Sequence, residues 1–306
     1  MIQTLEDISR LAREKGPKKL AVLAPEDGEF MMAVKKGWEN GYIEPVLIGN
    51  LEKMKKVADE VEFDISQFET IIEEDRQTIA DLGTSMFFEG KFDIEGKGQI
   101  PTSYIYRSII REEAKLGTGR TVSVISLWEI PGLNHLVGFT DTGATITPDY
   151  NTKVKIVNNA IFLAHLLGYP RPKICVLSGQ REIGGALPSL NDGELLKTAA
   201  ASGELGECEI IEATNFFEIF MNMEKPFDSY EQIDISKLPH ILLAPNLDTA
   251  NILCKLNFLL DVKRRSLLIS TKGPVIIPAR SDFSNSITGE IAMGVVIADR
   301  IREGVS

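Results

Sequence analysis

Residues 273–294, GPVIIPARSDFSNSITGEIAMG, decide how this chain folds. Pro274, Val275, Ile276 and Ile277 form the short apolar run expected of a buried strand, while Ile287, Ile291, Val295 and Ala298 recur every three or four positions as one face of a helix. Arg280 stands in the turn between them. In open α/β sheets, ligands bind beyond the carboxyl ends of the strands, where helix N-termini present unpaired N–H groups to anions. A phosphorylated or carboxylated ligand is the natural occupant of such a turn. The alternative is a surface turn in which Arg280 pairs with Asp282.

Working outward, strands and helices alternate without long linkers or repeats. The sequence predicts a strand over residues 19–23, a helix over 28–40 stopped by Gly41, and a strand over 45–48 closed by Gly49. That is a βαβ opening, and a right-handed crossover makes its sheet parallel. A helix is expected over 103–115, with strands over 121–129 and 137–141. Thr147-Pro148-Asp149 reads as a helix start, with Thr147 as N-cap and Pro148 at the first helical position, leading into a long helix that Gly168 stops. Strands follow over 173–178, 209–212 and 241–244, and helices over 192–201 and 249–257. Residues 215–236 give no clear period. The first lobe is predicted to comprise residues 1–145 plus 273–306, and the second 146–272.

The 306 residues exceed what one hydrophobic core usually organises, and 43% apolar with 25% charged content is ordinary for a soluble globular protein. Three widely spaced cysteines, Cys175, Cys208 and Cys254, sit in or beside apolar runs and read as small buried hydrophobes, which favours a reducing cytoplasm. No signal-peptide pattern is visible, and no run reaches the ~20 apolar residues of a membrane span. A net charge of −11 argues against nucleic acid as a partner, so an anionic ligand must be attracted locally.

Four clusters are candidates for chemistry. Lys97-Gly98 followed by Thr102 and Arg107 places two cations and a hydroxyl around a loop and the first turns of a helix, which suits a phosphate, or is solvated surface charge. Residues 116–123, LGTGRTVS, are glycine-rich and carry Arg120, yet match neither a P-loop nor a dinucleotide fingerprint. Residues 178–185, SGQREIGG, follow a strand and would let a ligand approach the backbone. In residues 245–255, PNLDTANILCK, Asn246, Asp248, Thr249 and Asn251 gather at a helix start that needs only one of them as a cap. His135, His165 and His240 have no metal spacing, and no metal is expected.

The order and wording of these segments resemble the phosphate acetyl/butyryl transferase family, its butyryl branch above all. The landmarks are residues 18–50 (KKLAVLAPEDGEFMMAVKKGWENGYIEPVLIGN), 97–110 (KGQIPTSYIYRSII), 116–123, 139–149 (FTDTGATITPD), 153–178, 187–196 (LPSLNDGELL), 244–256 (APNLDTANILCKL) and 273–287 (GPVIIPARSDFSNSI). The resemblance implies two α/β lobes with mainly parallel sheets, of the isocitrate/isopropylmalate-dehydrogenase-like type, a ligand cleft between them, and a homodimer. It also implies the reversible reaction of an acyl-CoA with phosphate to give an acyl phosphate and free coenzyme A, with CoA as substrate. Such acyl transfer develops an oxyanion that positioned donors stabilise, a task suited to Arg280 and Arg107, whose guanidinium groups hold phosphate in a bidentate fork. Asp282 and Glu290 are the carboxylates near Arg280 in sequence. Lys97, Arg107 and Arg120 are the cations offered to CoA phosphates, with Thr102, Asn246, Asn251, Ala279 and Ser281 as further binding positions.

The chain departs from the family's pattern at the site. The final-strand Ser-Arg is Ala279-Arg280 here, which removes one hydroxyl donor. The acetyl branch's aspartate six positions after that arginine is Ser286, and the butyryl branch's Asn-Ser is Gly289-Glu290. Its Ser-His-Val is Ser123-Val124-Ile125, and an expected Asp-Gly-Pro is Glu212-Ala213-Thr214. Two readings follow: an acyltransferase with a reshaped pocket, or a non-catalytic subunit that binds CoA or acyl phosphate on the transferase scaffold. A dehydrogenase of the same broad fold is disfavoured, because neither a metal-binding aspartate cluster nor a nicotinamide fingerprint is visible.

Overall fold

The computed structural model describes residues 1–179, 187–214, 219, 234–260 and 262–305, and the chain divides into two compact units. The first unit comprises Leu5–Val122 and Arg265–Val305. It opens with helix α1 (Leu5–Lys15), strand β1 (Lys18–Leu23), α2 (Gly28–Glu39), β2 (Ile43–Gly49), α3 (Leu51–Glu60), β3 (Thr70–Ile72), α4 (Arg76–Phe88), β4 (Ile94–Lys97) and α5 (Thr102–Leu116). The second unit, built mainly from Ser123–Arg264, carries β5 (Val124–Glu129), β6 (Val137–Thr140), α6 (Tyr150–Leu166), β7 (Lys173–Leu177), α7 (Pro188–Ser202), β8 (Glu209–Thr214), β9 (Ile241–Leu243), α8 (Leu247–Lys255) and α9 (Asn257–Leu260). The chain then returns to the first unit through β10 (Lys263–Ile269), β11 (Pro274–Ile276) and α10 (Ser284–Arg302). Among the described residues, no helix is long and apolar enough to cross a membrane.

In the first unit the strands run in the order β3-β2-β1-β4-β11-β10, parallel throughout except for the β10–β11 pair. The second unit's order is β5-β6-β9-β7-β8, parallel except for β5–β6. These pairings move the boundaries expected from sequence. Residues 123–145 join the second unit because β6 pairs with β9, Gly138 opposite Ile241, while β10 joins the first unit through its antiparallel register on β11, Leu268 opposite Val275.

The helix at the end of the chain is seated as its periodicity predicts: Ile287, Ile291, Val295 and Ala298 are all buried. Gly294 allows the close approach, since a Cβ there would lie 3.2 Å from Ile276 Cδ1 and 3.3 Å from Ile94 Cγ2. The start of α6 differs from expectation. Its cap is Asp149, whose Oδ1 accepts the Thr152 N–H at 2.8 Å, so Thr147 and Pro148 lie before the helix. A carboxylate at that position is the better acceptor for an orphan N–H.

Several polar landmarks of the sequence hold the fold. Asp141 is buried and gathers four backbone donors: Val124 at 3.0 Å, Gly143 and Ala144 at 3.1 Å, and Thr145 at 2.8 Å. Lys153 of α6 and Asp192 of α7 form a buried ion pair, and Asn159 Nδ2 donates to Ser123 Oγ at 2.8 Å. In the first unit Glu95, on the central strand β4, is 0% exposed. Its Oε1 accepts from Thr84 Oγ1 at 2.9 Å, and its Oε2 has no partner among the described residues. Burial pushes this carboxyl up to about 8 against the pull of the threonine hydrogen bond.

Candidate functional site

Strands β4 and β11 lie side by side and parallel, Ile276 opposite Gly96, so the turns that follow them emerge at one end of the first unit's sheet. A cavity of about 490 Å³ opens there, lined among others by Asp27, Glu29, Lys97, Ala279, Arg280 and Asp282. The β4 turn depends on glycine: a Cβ on Gly98 would fall 2.4 Å from the Ala24 carbonyl oxygen. That close approach lets the Gln99 N–H donate to Ala24 O at 2.9 Å, and it fixes where Lys97 leaves the strand.

Three carboxylates and two cations face this space, and the carboxylates are already engaged. Asp27 caps α2, accepting the Phe30 N–H at 3.0 Å on one oxygen and Gln99 Nε2 at 3.0 Å on the other. Glu29 Oε2 accepts the Ser284 N–H at 2.5 Å. Asp282 Oδ2 accepts the Ala279 N–H at 2.8 Å, and the Asp282 N–H donates back to Ala279 O at 3.0 Å. Arg280 is exposed and makes no ion pair with any described residue, Asp282 included. Lys97 is 8% exposed; its Nζ donates to its neighbour's carbonyl, Gly98 O, at 3.2 Å, and no described carboxylate pairs with it. Burial, reinforced by the Arg280 charge and opposed by Asp27, holds the Lys97 ammonium below its ordinary value.

The predicted residues therefore separate. Lys97, Ala279, Arg280 and Asp282 meet at one cavity, with Ser281 exposed on the same turn. Thr102 begins α5 directly after the lining residues Ile100 and Pro101. Arg107 is not in the cavity wall: it is exposed, donates to Gln77 Oε1 at 3.3 Å and lies 5.8 Å from the Tyr104 ring centroid. Arg120 is likewise outside the lining, half-buried, its charge disfavoured by burial and supported by Glu113. Asn246 and Asn251 belong to the second unit. Asn246 caps α8, accepting from Thr249 N at 2.9 Å, and Asn251 Nδ2 donates to Thr142 O at 3.3 Å. Glu290 lies within the first unit, 0% exposed, with Oε1 accepting the Ser266 N–H at 3.0 Å. Most of the segment 178–185 falls in residues 180–186, outside the described residues.

At the start of α10 the first N–H, that of Ser284, is taken by Glu29 of α2. Asp27, Glu29, Gln99 and the ring of Phe30 were not anticipated as part of the site. The signal for them is the stretch 24–30, APEDGEF, which ends a strand and opens a helix in the same manner as 278–284, PARSDFS.

Full-length comparison supplies the context for this cavity. The chain is 26% identical over 299 residues to a phosphate butyryltransferase of Clostridium acetobutylicum, covering 97% of this chain and 99% of the relative. It is 28% identical over 297 residues to a phosphate acetyltransferase of Thermotoga maritima, covering 96% and 99% respectively. This chain resembles the phosphate acetyl/butyryl transferases along nearly its whole length. No family model matches it. The fold agrees with that resemblance: a branched-chain phosphotransacylase from Enterococcus faecalis V583 superposes with a TM-score of 0.72 at 21% identity, covering 92% of this chain and all of the other. The transferase resemblance therefore rests on sequence over two compact α/β units, and of the predicted positions Lys97, Ala279, Arg280 and Asp282 line one cavity.

Proposed function

We propose that the protein is a phosphate acyltransferase, interconverting acyl-CoA plus phosphate with acyl phosphate plus CoA, butyryltransferase-like but with altered site residues. The observation that carries this reading is the cavity at the ends of β4 and β11, where neither basic side chain is paired with a described carboxylate, Lys97 donating only to the Gly98 carbonyl, while all three carboxylates hold backbone N–H groups. The Arg280 guanidinium presents a planar fork to phosphate, so it suits both the anchoring of that group and the oxyanion that develops as the carbonyl is attacked. Direct transfer between bound thioester and phosphate needs orientation and charge stabilisation, and no protein nucleophile. Coenzyme A enters as a substrate.

A second reading, a subunit that binds CoA or acyl phosphate without turnover, is favoured by one feature: Ala279 stands on the cavity wall where a serine hydroxyl would add a donor. Ser281, two positions on and exposed, is the nearest replacement in the chain. Assembly as a homodimer is supported by a row of exposed apolar side chains on α8 and α9, with Ile252 65%, Phe258 58%, Leu259 81% and Leu260 59% exposed. The three free thiols suit a reducing cytoplasm. The purified protein, incubated with phosphate and a ladder of acyl-CoAs from acetyl to branched and medium chains, tests the proposal through release of free thiol. Phosphate-dependent release from any member establishes turnover. Binding of CoA without release from any of them selects the second reading.

A further inference from the structure

Resynthesis of a thioester from acyl phosphate requires the CoA thiol to lose a proton, and each carboxylate of the cavity already accepts a backbone N–H. Asp27 spends both oxygens on Phe30 N and Gln99 Nε2, Glu29 holds Ser284 N, and Asp282 holds Ala279 N. Position 286, six residues after Arg280, is a serine, and Glu290 is enclosed beneath β10. Lys97 differs from all of these. Its amine is buried, it borders the same cavity as Arg280, it has no carboxylate partner among the described residues, and its one hydrogen bond goes to the adjacent carbonyl. The charged groups around it are Arg280 and Asp282 from the β11–α10 turn, Asp27 and Glu29 from the start of α2, and, two residues back on β4, the enclosed Glu95. The residue opposite it on β1 is Leu23.

Resting on the transferase reading, we propose that Lys97 is the proton carrier of the reaction, with its amine accepting the CoA thiol proton and returning it to the departing phosphate. The thiolate sulfur then bonds to the acyl carbon and the acyl–oxygen bond to phosphate breaks. The leaving phosphate oxygen takes the proton from the Lys97 ammonium, so the balance is CoA-SH plus acyl phosphate dianion giving acyl-CoA plus hydrogen phosphate dianion, with the amine regenerated. Burial and the Arg280 charge both favour the uncharged amine this requires. In the opposite direction the same amine takes the phosphate proton and delivers it to the departing thiolate.

The test measures acyl-phosphate-to-thioester turnover in the parent, Lys97→Met and Lys97→Arg across pH 6–9, with and without added small primary amines. General acid–base work of this kind accounts for about 10²–10⁴-fold in rate. Both variants are therefore expected to lose that much in kcat, Lys97→Met is expected to recover part of it with methylamine or ethylamine, and its rate is expected to follow ionisation of the CoA thiol itself near ~8.5. A Lys97→Arg protein with parental kcat would overturn the proposal, since a fixed cation would then suffice. So would a Lys97→Met protein that amines do not rescue. Competitive acetylation of Lys97 against the other lysines as a function of pH reads its proton affinity without turnover. A Lys97 that titrates with the surface lysines would overturn the proposal in an active enzyme, whereas a parent inactive on every acyl-CoA overturns the transferase reading even if Lys97 titrates low.

Discussion

Replacing Glu95 by glutamine should remove a pH dependence that the parent protein carries in the middle of its first sheet. The carboxyl is 0% exposed, holds one hydrogen bond from Thr84, and ionises near about 8 in the folded chain against an ordinary value of 4.5. Below 4.5 it is protonated in folded and unfolded chains alike and adds no slope. As pH rises past that point the unfolded chain releases the proton and the folded chain keeps it, so stability falls by ~1.4 kcal/mol per unit until the folded carboxyl ionises too. Between pH 5 and 8 the loss comes to about 3–4 kcal/mol. Glutamine keeps a carbonyl for Thr84 and has no proton to lose, so Glu95→Gln should gain on the parent by that amount across the same range. Urea titrations at fixed pH values measure it, with Trp38 as the probe. Trp38 packs on Phe63 and Phe68 in the first unit, and a Trp128→Phe background leaves it the sole tryptophan. A difference between variant and parent that stays flat from pH 5 to 9 would refute the reasoning, because it would mean the carboxyl is charged, or wet, in the native fold.

Arg280→Ala should lower phosphate-dependent thiol release by about 10²–10³-fold, the usual cost of removing one oxyanion donor, and Arg280→Lys should fall well short of the parent because a point charge does not reproduce a planar fork. Parental rates in the alanine protein would dismiss Arg280 from the chemistry. Added CoA should raise the melting temperature by mass action, and because its phosphates meet local cations on a chain of net charge −11, the gain should shrink with salt. No shift at millimolar CoA and low salt would count against both functional readings. Ala279→Ser places a hydroxyl on an exposed turn that bounds the cavity. In an active parent it should change the rate by less than about tenfold, whereas in an inactive one it should restore a donor worth on the order of 3 kcal/mol, read as the appearance of thiol release from acetyl-CoA or butyryl-CoA.

The legible parts of the fold were those in which one face of an element meets the core. Helix α10 announces itself because Ile287, Ile291, Val295 and Ala298 all face inward. Strand β10 does not, because its first residues, Lys263-Arg264-Arg265, carry charge, and its antiparallel direction is set by a partner close by rather than by its own pattern. The short β3 has no fully buried residue, so nothing in its three side chains distinguishes it from a loop. At the site, Arg107 was correctly assigned to a helix but not to a face. Ile105, Ser108, Ile109, Glu112 and Glu113 are the buried positions of α5, and their spacing turns residue 107 away from them. Arg280 was legible because its turn follows an apolar strand. Glu29 was not, because its partner, the Ser284 N–H, is 255 residues away.

Glu95 and Lys97 alternate on β4 and so share one face of the sheet, a carboxyl and an amine only two positions apart. Two such groups in a dry interior ordinarily meet as an ion pair, and the pair would hold the lysine permanently charged. Here Thr84 binds the carboxyl from α4 while the lysine extends along the strand to the Gly98 carbonyl and the cavity. Kept apart, each group lies in surroundings that favour its neutral form, the acid by burial alone and the amine by burial together with the Arg280 charge. The two effects act two positions apart on one short strand and rely on different neighbours. A neutral acid at 95 therefore adds no charge that would draw a proton onto Lys97, whose protonation is governed by its own burial and by the Arg280 charge.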